Sequence, residues 1–205
     1  MPGELFMAGG LNMAAKTVKK RSDILDAVLV VAHQLGMSGL SIANVARFAG
    51  VPKSVVLYHF SSRDALVDAT LERWLATLQA RIRAALEPRA RDPRDRLGAW
   101  FSALFSPELA GWQLYLQLSL EAPDCPAAAR AAAWEREVEH DLARLLAQGH
   151  KQLAWRAPRP AVMATALRCL VEGLALSCVR AGEPTAMVAA QAIARQTSLD
   201  LLLRS

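Results

Sequence analysis

The stretch Lys53-Ser54-Val55-Val56-Leu57-Tyr58-His59 places a cation, a hydroxyl, a phenol, an imidazole and apolar tips on consecutive residues. Those groups suit nucleic-acid recognition. An ammonium at Lys53 can neutralise a phosphate without reading sequence. Ser54, Tyr58 and His59 can exchange hydrogen bonds with bases or phosphates, and Val55 and Leu57 suit a thymine methyl. Second readings stand beside these: a free surface lysine at Lys53, and a plug at the junction with the core at Tyr58. Arg63 opens the next helix, where a cation beside free N–H groups suits phosphate. Ser41 joins the candidate contacts, and its hydroxyl can equally cap the helix it precedes.

Catalytic chemistry is less well provided for. The chain has no HExxH, no GxSxG and no glycine-rich phosphate loop. His140 and His150 are too far apart along a helix to share a face as a metal pair. Cys125, Cys169 and Cys178 form no CxxC pair. Cys169 and Cys178 read as core of an apolar helix, and an odd count fits a reduced, cytoplasmic interior better than a disulfide scaffold. No enzyme activity, metal or cofactor is expected.

The elements that must position the reading residues are two short helices and a turn. Ser41 caps the first, and Ile42, Val45, Ala46 and Ala49 repeat on one face of it. Gly50 follows, where a helix end favours a residue tolerant of positive φ. Pro52 suits the first turn of a second helix over 52–59. Val51, Val55 and Val56 continue the apolar contacts, and Phe60 reads as core. The unit is a helix-turn-helix, whose second helix enters the major groove. A bracing helix is expected from Ser22 to Gly36, with Ile24, Leu25, Val28, Val31, Ala32 and Leu35 inward. His33 on it reads as exposed or satisfied.

Leu57-Tyr58-His59-Phe60 and Ser61-Ser62-Arg63-Asp64-Ala65-Leu66 resemble the end of the recognition helix in TetR-family transcriptional regulators. The resemblance begins at Arg21-Ser22-Asp23-Ile24-Leu25-Asp26-Ala27, passes through Gly39-Leu40-Ser41-Ile42 and Ala49-Gly50-Val51, and covers roughly residues 19–66. It departs at Ser54 and Val55, where the family usually has small residues, and at Leu57, where Tyr is frequent. Those positions face DNA in the family, so the departures bear on which sequence is read. The resemblance implies a homodimeric DNA-binding protein, usually a repressor of a palindromic operator, released when a small molecule binds the helical body and swings the fourth helix.

Charge agrees. Between Lys16 and Arg63 seven basic residues face two acidic ones, a surplus equal to the whole chain's net +5. The remainder is balanced. A basic stripe confined to the reading segment is what phosphate neutralisation requires; a solvated basic face is the plainer reading.

The expected fold is all-α, about nine helices: a three-helix head and a helical body. Residues 1–15 are expected as a loose arm, with Met7 and Met13 as alternative starts. Lys16, Lys19, Lys20 and Arg21 then form a basic entry that either meets phosphate or minor groove or frays in solvent. The DNA-binding domain is placed at 16–63 and the body at 64–205. A fourth helix runs from Ser62 to Leu86, with Leu66, Ala69, Trp74, Leu78, Ile82 and Leu86 inward. Glu87–Arg96 breaks the chain with two prolines. Helices follow at about Arg94–Phe105, Pro107–Glu121, Pro126–Gly149, Pro160–Ala181 and Pro184–Leu203. No uninterrupted apolar run reaches about 18 residues, so no membrane span is expected.

In the resembling family the last two helices form a four-helix bundle with a second subunit. A homodimer through 160–203 is therefore expected here, with burial inside one subunit as the alternative. Trp100, Leu104, Phe105, Trp112, Tyr115 and Trp134, beside Phe101, either line an aromatic effector cavity or form ordinary core. Such a cavity suits hydrophobic molecules or organic cations, with Gln117, Glu121 and Glu172 as candidate polar partners. Leu170-Val171-Glu172-Gly173-Leu174 is similar to the betaine-regulator branch of the family. A helical adaptor that binds only protein is the rival reading, and it leaves the basic segment unexplained.

Overall fold

The computed structural model describes residues 4–87, 92–105, 109–120, 125–183 and 185–204, with side chains from residue 17 to residue 203. Nine α-helices and one 3-10 turn make up its regular structure, with no strand among the described residues. The chain divides into two compact units, Met1–Thr70 and Leu71–Ser205.

The first unit holds α1 (Glu4–Leu35), the 3-10 turn Met37–Gly39, α2 (Ile42–Ala49), α3 (Lys53–His59) and the opening of α4 (Arg63–Leu86). Helix α1 starts well before Ser22, so the segment expected as a loose arm is helical from Glu4. No proline interrupts Glu4–Leu35, and its Ala, Leu, Met and Lys content favours helix strongly enough to carry Gly9 and Gly10. Ile24, Leu25, Val28, Val31 and Ala32 of α1 are buried, together with Leu40, Val45, Ala46, Val56, Phe60, Leu66 and Val67. Leu35, expected inward, is exposed. Because Leu66, Val67 and Thr70 are buried in this core, the division falls inside α4 rather than ahead of it, where the body was expected to begin.

The second unit comprises α4 from Leu71 onward, α5 (Pro93–Leu104), α6 (Leu109–Ser119), α7 (Pro126–Lys151), α8 (Pro160–Ala181) and α9 (Thr185–Arg204). Proline at the first helical position starts α5, α7 and α8, where its missing N–H costs nothing. Asp92 caps α5 by accepting from Arg94 N, and the Cys125 sulfur caps α7 by accepting from Ala128 N. Helix α8 packs against α6, α7 and α9, while α5 packs against α7 and α9. Its inward stripe is Ala164, Leu167, Val171, Ala175 and Cys178; that of α9 is Met187, Ala190, Ala194, Ser198 and Leu202.

Two features depart from expectation. Cys169 is exposed on α8 rather than in the core, because the inward stripe passes through Leu167 and Val171 instead. By length and composition α8 is also apolar enough to cross a membrane. Arg168 and Glu172 interrupt it, and α6, α7 and α9 pack against one side of it.

Candidate nucleic-acid interface and effector site

The turn that aims α3 is built from local bonds. Asn44 N donates to Ser41 Oγ at 3.2 Å, and Asn44 Nδ2 donates to Gly39 O at 2.7 Å. Gly50 closes α2 in the left-handed region at φ 65°, and Val51 N donates back to Ala46 O at 3.0 Å, a Schellman-type ending that glycine accepts without strain. Pro52 is extended (ψ 149°) and precedes α3 instead of forming its first turn. Val56 is buried and anchors α3 to the core.

At 3.6 residues per turn, Lys53, Ser54, Leu57 and Tyr58 fall within an arc of about 140° on α3, and all four are exposed. Tyr58 is 81% exposed and Leu57 50%. Tyr58 thus stands in solvent rather than plugging the junction with the core. Its ring meets His59 edge-on at 5.2 Å. Val55 is half-buried beyond the Tyr58 edge of this face, and His59 is half-buried on the opposite side of the helix. A cation, a hydroxyl, a phenol and an isobutyl group in one arc can contact phosphate, base edges and methyl groups together.

Ser41 and Arg63 carry structural bonds of their own. Ser41 is the α2 cap. The Arg63 guanidinium donates from Nε to Leu40 O at 2.8 Å and from Nη2 to Met37 O at 3.3 Å, and pairs with Asp64 at 3.3 Å. It ties the start of α4 to carbonyls of the α1–α2 connection, so much of its donor capacity is already committed.

In the body, all six candidate effector residues are buried, between 0% and 6% exposed. They do not form one cavity. Trp112, Tyr115 and Trp134 meet each other at ring distances of 5.4–6.4 Å. Trp100 packs instead on its neighbour Phe101 at 4.9 Å. Leu104 accepts from the Trp112 indole N–H at its main-chain oxygen, 3.0 Å, and Phe105 is buried at the end of α5. The ring cluster gains a member assigned in sequence only to the helix core: Trp74 of α4 lies 5.5 Å from Trp112 and 6.1 Å from Tyr115. Trp74 sits flat against Gly111, where an added Cβ would lie 2.0 Å from its indole nitrogen.

Polar groups close one end of the cluster. The Tyr115 hydroxyl donates to Glu135 Oε1 at 2.7 Å and lies 3.1 Å from Glu172 Oε1. Arg168 donates to Glu139 at 2.7 Å and to Glu172 at 2.6 Å. Burial, the Glu172 charge and the bond to Glu135 push the Tyr115 phenol far above the ordinary tyrosine range. Burial alone would lower Arg168, but its bonds to Glu139 and Glu172 outweigh that and hold it protonated. Glu172 thus joins a network that sequence did not anticipate, since Glu135, Glu139 and Arg168 come from two different helices. Gln117 is half-buried with its Oε1 unpartnered, and Glu121 lies outside the described residues.

Comparison with known proteins agrees with this arrangement. The family pattern described as "Bacterial regulatory proteins, tetR family" matches residues 24–70. An HTH-type transcriptional regulator BetI of Paraburkholderia xenovorans is 31% identical over 198 residues, spanning 91% of this chain and 94% of that one. The BetI of Paraburkholderia phymatum is 29% identical over 194 residues, spanning 90% and 93%. Among solved structures, a TetR transcription regulator from Haloarcula marismortui matches with a TM-score of 0.75 at 19% identity, covering 91% of this chain and 99% of that one. A TetR-family regulator from Agrobacterium tumefaciens matches at 0.73 and 21% identity, covering 88% and 98%. The fold is shared with those structures, and the sequence is shared with the BetI regulators along nearly their whole length. The chain belongs to the TetR family of helix-turn-helix transcriptional regulators and is BetI-like.

Proposed function

We propose that the protein is a homodimeric repressor that binds a palindromic operator through α3 and is released by a small hydrophobic or cationic effector held in the helical body. The observation that carries the DNA-binding half is the exposed face of Lys53, Ser54, Leu57 and Tyr58 on a helix whose opposite side is anchored by buried Val56. Val55 borders that face, Ser41 and Arg63 support the helices that present it, and His59 lies on the far side of α3 against the Tyr58 ring edge. Double-stranded DNA as partner implies a cytoplasmic, nucleoid-associated protein. The role is binding rather than catalysis, and it requires no cofactor.

Dimerisation is supported by the outer faces of α8 and α9. Val162, Leu176, Val188, Ile193, Leu201 and Leu203 are exposed there, an apolar surface that a second copy would cover. A two-fold dimer would match operator symmetry, with its reading helices about 34–36 Å apart. Release is supported by the ring cluster with its surplus of carboxylates over cations, which offers both apolar and cation-accepting surroundings. Helix α4 contributes Trp74 to that cluster and its first residues to the DNA-reading unit. An effector with unequal affinity for two positions of α4 would shift the population between them.

The test is a gel shift with DNA from upstream of the protein's own gene, at two salt concentrations and with unrelated competitor present. A specific shift that weakens with salt is expected. Lys53→Ala should weaken binding to all sequences and make the plot of log K against log salt shallower by about 0.9. Tyr58→Ala should lose affinity with the body still folded. No shift at low salt, from folded and dimeric protein, would overturn the reading in favour of a protein-binding adaptor.

A further inference from the structure

The seam between α4 and α7 is not closed by apolar packing. Glu72, Leu75, Ala76, Gln79, Ala80 and Arg83 of α4 face Arg130, Ala133, Trp134 and Glu137 of α7 across a groove of about 390 Å³. Two ion pairs cross it: Arg130 to Glu72 at 3.4 Å, and Arg83 to Glu137. All four side chains are substantially exposed, and pairs of that kind contribute little and part readily.

Two residues that line the groove, Gln79 and Trp134, each carry an unsatisfied polar atom covered from solvent. Gln79 and Trp134 are each only 6% exposed. The Gln79 Oε1 acceptor and the Trp134 indole N–H donor are buried without a hydrogen-bond partner. Gln79 Nε2 faces Asp141 Oδ2 at 3.5 Å, so the amide oxygen is the free end. Buried groups of this kind normally have partners, and a pair left open in one groove marks a place that something else completes.

We infer that this groove is a subsite for an uncharged group carrying both a hydrogen-bond donor and an acceptor, such as a primary carboxamide, on an otherwise apolar molecule. The donor meets Gln79 Oε1 and the acceptor meets the Trp134 N–H. Leu75, Ala76, Ala80 and Ala133 receive the apolar part. The rim carboxylates Glu72 and Glu137 are each paired with an arginine, Arg130 and Arg83, and Asp141 behind Gln79 faces the Gln79 amide N–H, so no charged group is left to engage the ligand directly. The inference rests on the proposed effector-release reading and narrows it to the hydrophobic, uncharged alternative. Trp134 belongs to both the groove and the ring cluster, and a ligand here would part the two ion pairs that cross from α4 to α7.

Benzamide is the probe, added to the full-length protein while the indole N–H signals are followed by ¹H–¹⁵N NMR. The Trp134 signal is identified by its loss in Trp134→Phe. Benzamide should shift that signal saturably. N,N-dimethylbenzamide, which lacks the donor, should bind about tenfold more weakly, as should benzamide to Gln79→Leu, the cost of one unmade hydrogen bond. Benzoate and benzamidinium, charged molecules of the same shape, should not compete. The ligand series tests the same contacts without altering the protein, should either variant fold poorly. No Trp134 shift, equal binding of the charged analogues, or an indole N–H that exchanges as if held by ordered water regardless of benzamide would overturn the inference. Gel shifts on the same samples separate the outcomes: DNA binding without a benzamide response sinks only the subsite, and a benzamide response without DNA binding sinks only the repressor.

Discussion

Replacing Arg63 separates two roles for one guanidinium. In the structure it donates to Leu40 O at 2.8 Å and Met37 O at 3.3 Å. A hydrogen bond from a charged donor contributes about 1.5–3 kcal/mol. The side chain is 39% exposed, so water recovers part of that after truncation, leaving about 1 kcal/mol for each carbonyl. The Asp64 pair, with its carboxylate in solvent, adds little. Arg63→Ala should therefore destabilise the protein by about 2 kcal/mol, read as a fall in Tm of about 4–8 °C for a chain of this size. DNA affinity should fall because the carbonyls that fix α4 to the α1–α2 connection are released, yet the salt dependence should keep its slope. Arg63→Lys retains the charge but cannot span both carbonyls, and should recover less than half of the lost stability. The reasoning is refuted if Tm is unchanged while the salt slope becomes shallower by about 0.9, since that pattern belongs to a phosphate contact.

Three further outcomes follow from the body. Gly111→Ala would set a Cβ 2.0 Å from the Trp74 indole nitrogen. With that ring held by Trp112 and Tyr115, overpacking should cost about 1–3 kcal/mol by chemical denaturation, and an unchanged midpoint would mean that Trp74 is free to move. Leu153 holds φ 56° and is 90% exposed, a left-handed position that suits glycine; Leu153→Gly should stabilise by about 0.5–1 kcal/mol, strain relief exceeding the added chain entropy. Tyr115 has its phenol raised by burial first and then by Glu172 and Glu135, so the folded state favours its neutral form. Its contribution is complete below the ordinary value of 10.0 and is lost as pH rises beyond it. In a Tyr58→Phe background, phenolate absorbance should appear only with loss of the far-ultraviolet helix signal; phenolate in an intact fold near pH 10 would contradict the buried network.

The head was legible because its determinants are local. A cap at Ser41, a left-handed Gly50 and a buried Val45, Ala46 and Val56 set lie within sixteen residues of one another, so short-range pattern suffices. The start of α1 was not legible: Pro2 stands just ahead of it, but Gly9 and Gly10 inside its first turns argue against helix there. In the body, Pro93, Pro126 and Pro160 mark helix starts to within a residue or two. Partnership across helices is another matter. Trp74, Trp112 and Trp134 come from three helices, and nothing in their spacing says that they meet while Trp100 does not. Likewise a lone arginine at a helix start suits phosphate or carbonyl oxygen equally, and only the approach of Leu40, 23 residues away, decides. Helices α8 and α9 are apolar on both sides, so periodicity alone could not separate the stripe that packs inward from Val162, Val188 and Ile193, which do not.

The Arg168–Glu172 pair on α8 bears on how the chain is made as well as how it packs. During synthesis Pro160–Ala181 emerges as a segment that an insertion channel could take for a membrane anchor. A charge near the centre of such a segment costs about 2.5–3.5 kcal/mol on partitioning into lipid. Arg168 and Glu172, one helical turn apart, place two such charges near its middle. In the folded body Arg168 meets Glu139 of α7 and Glu172 meets the Tyr115 hydroxyl of α6, which also donates to Glu135. The two charges that make this segment costly in lipid are thus the ones that tie α8 to α6 and α7 in the folded body.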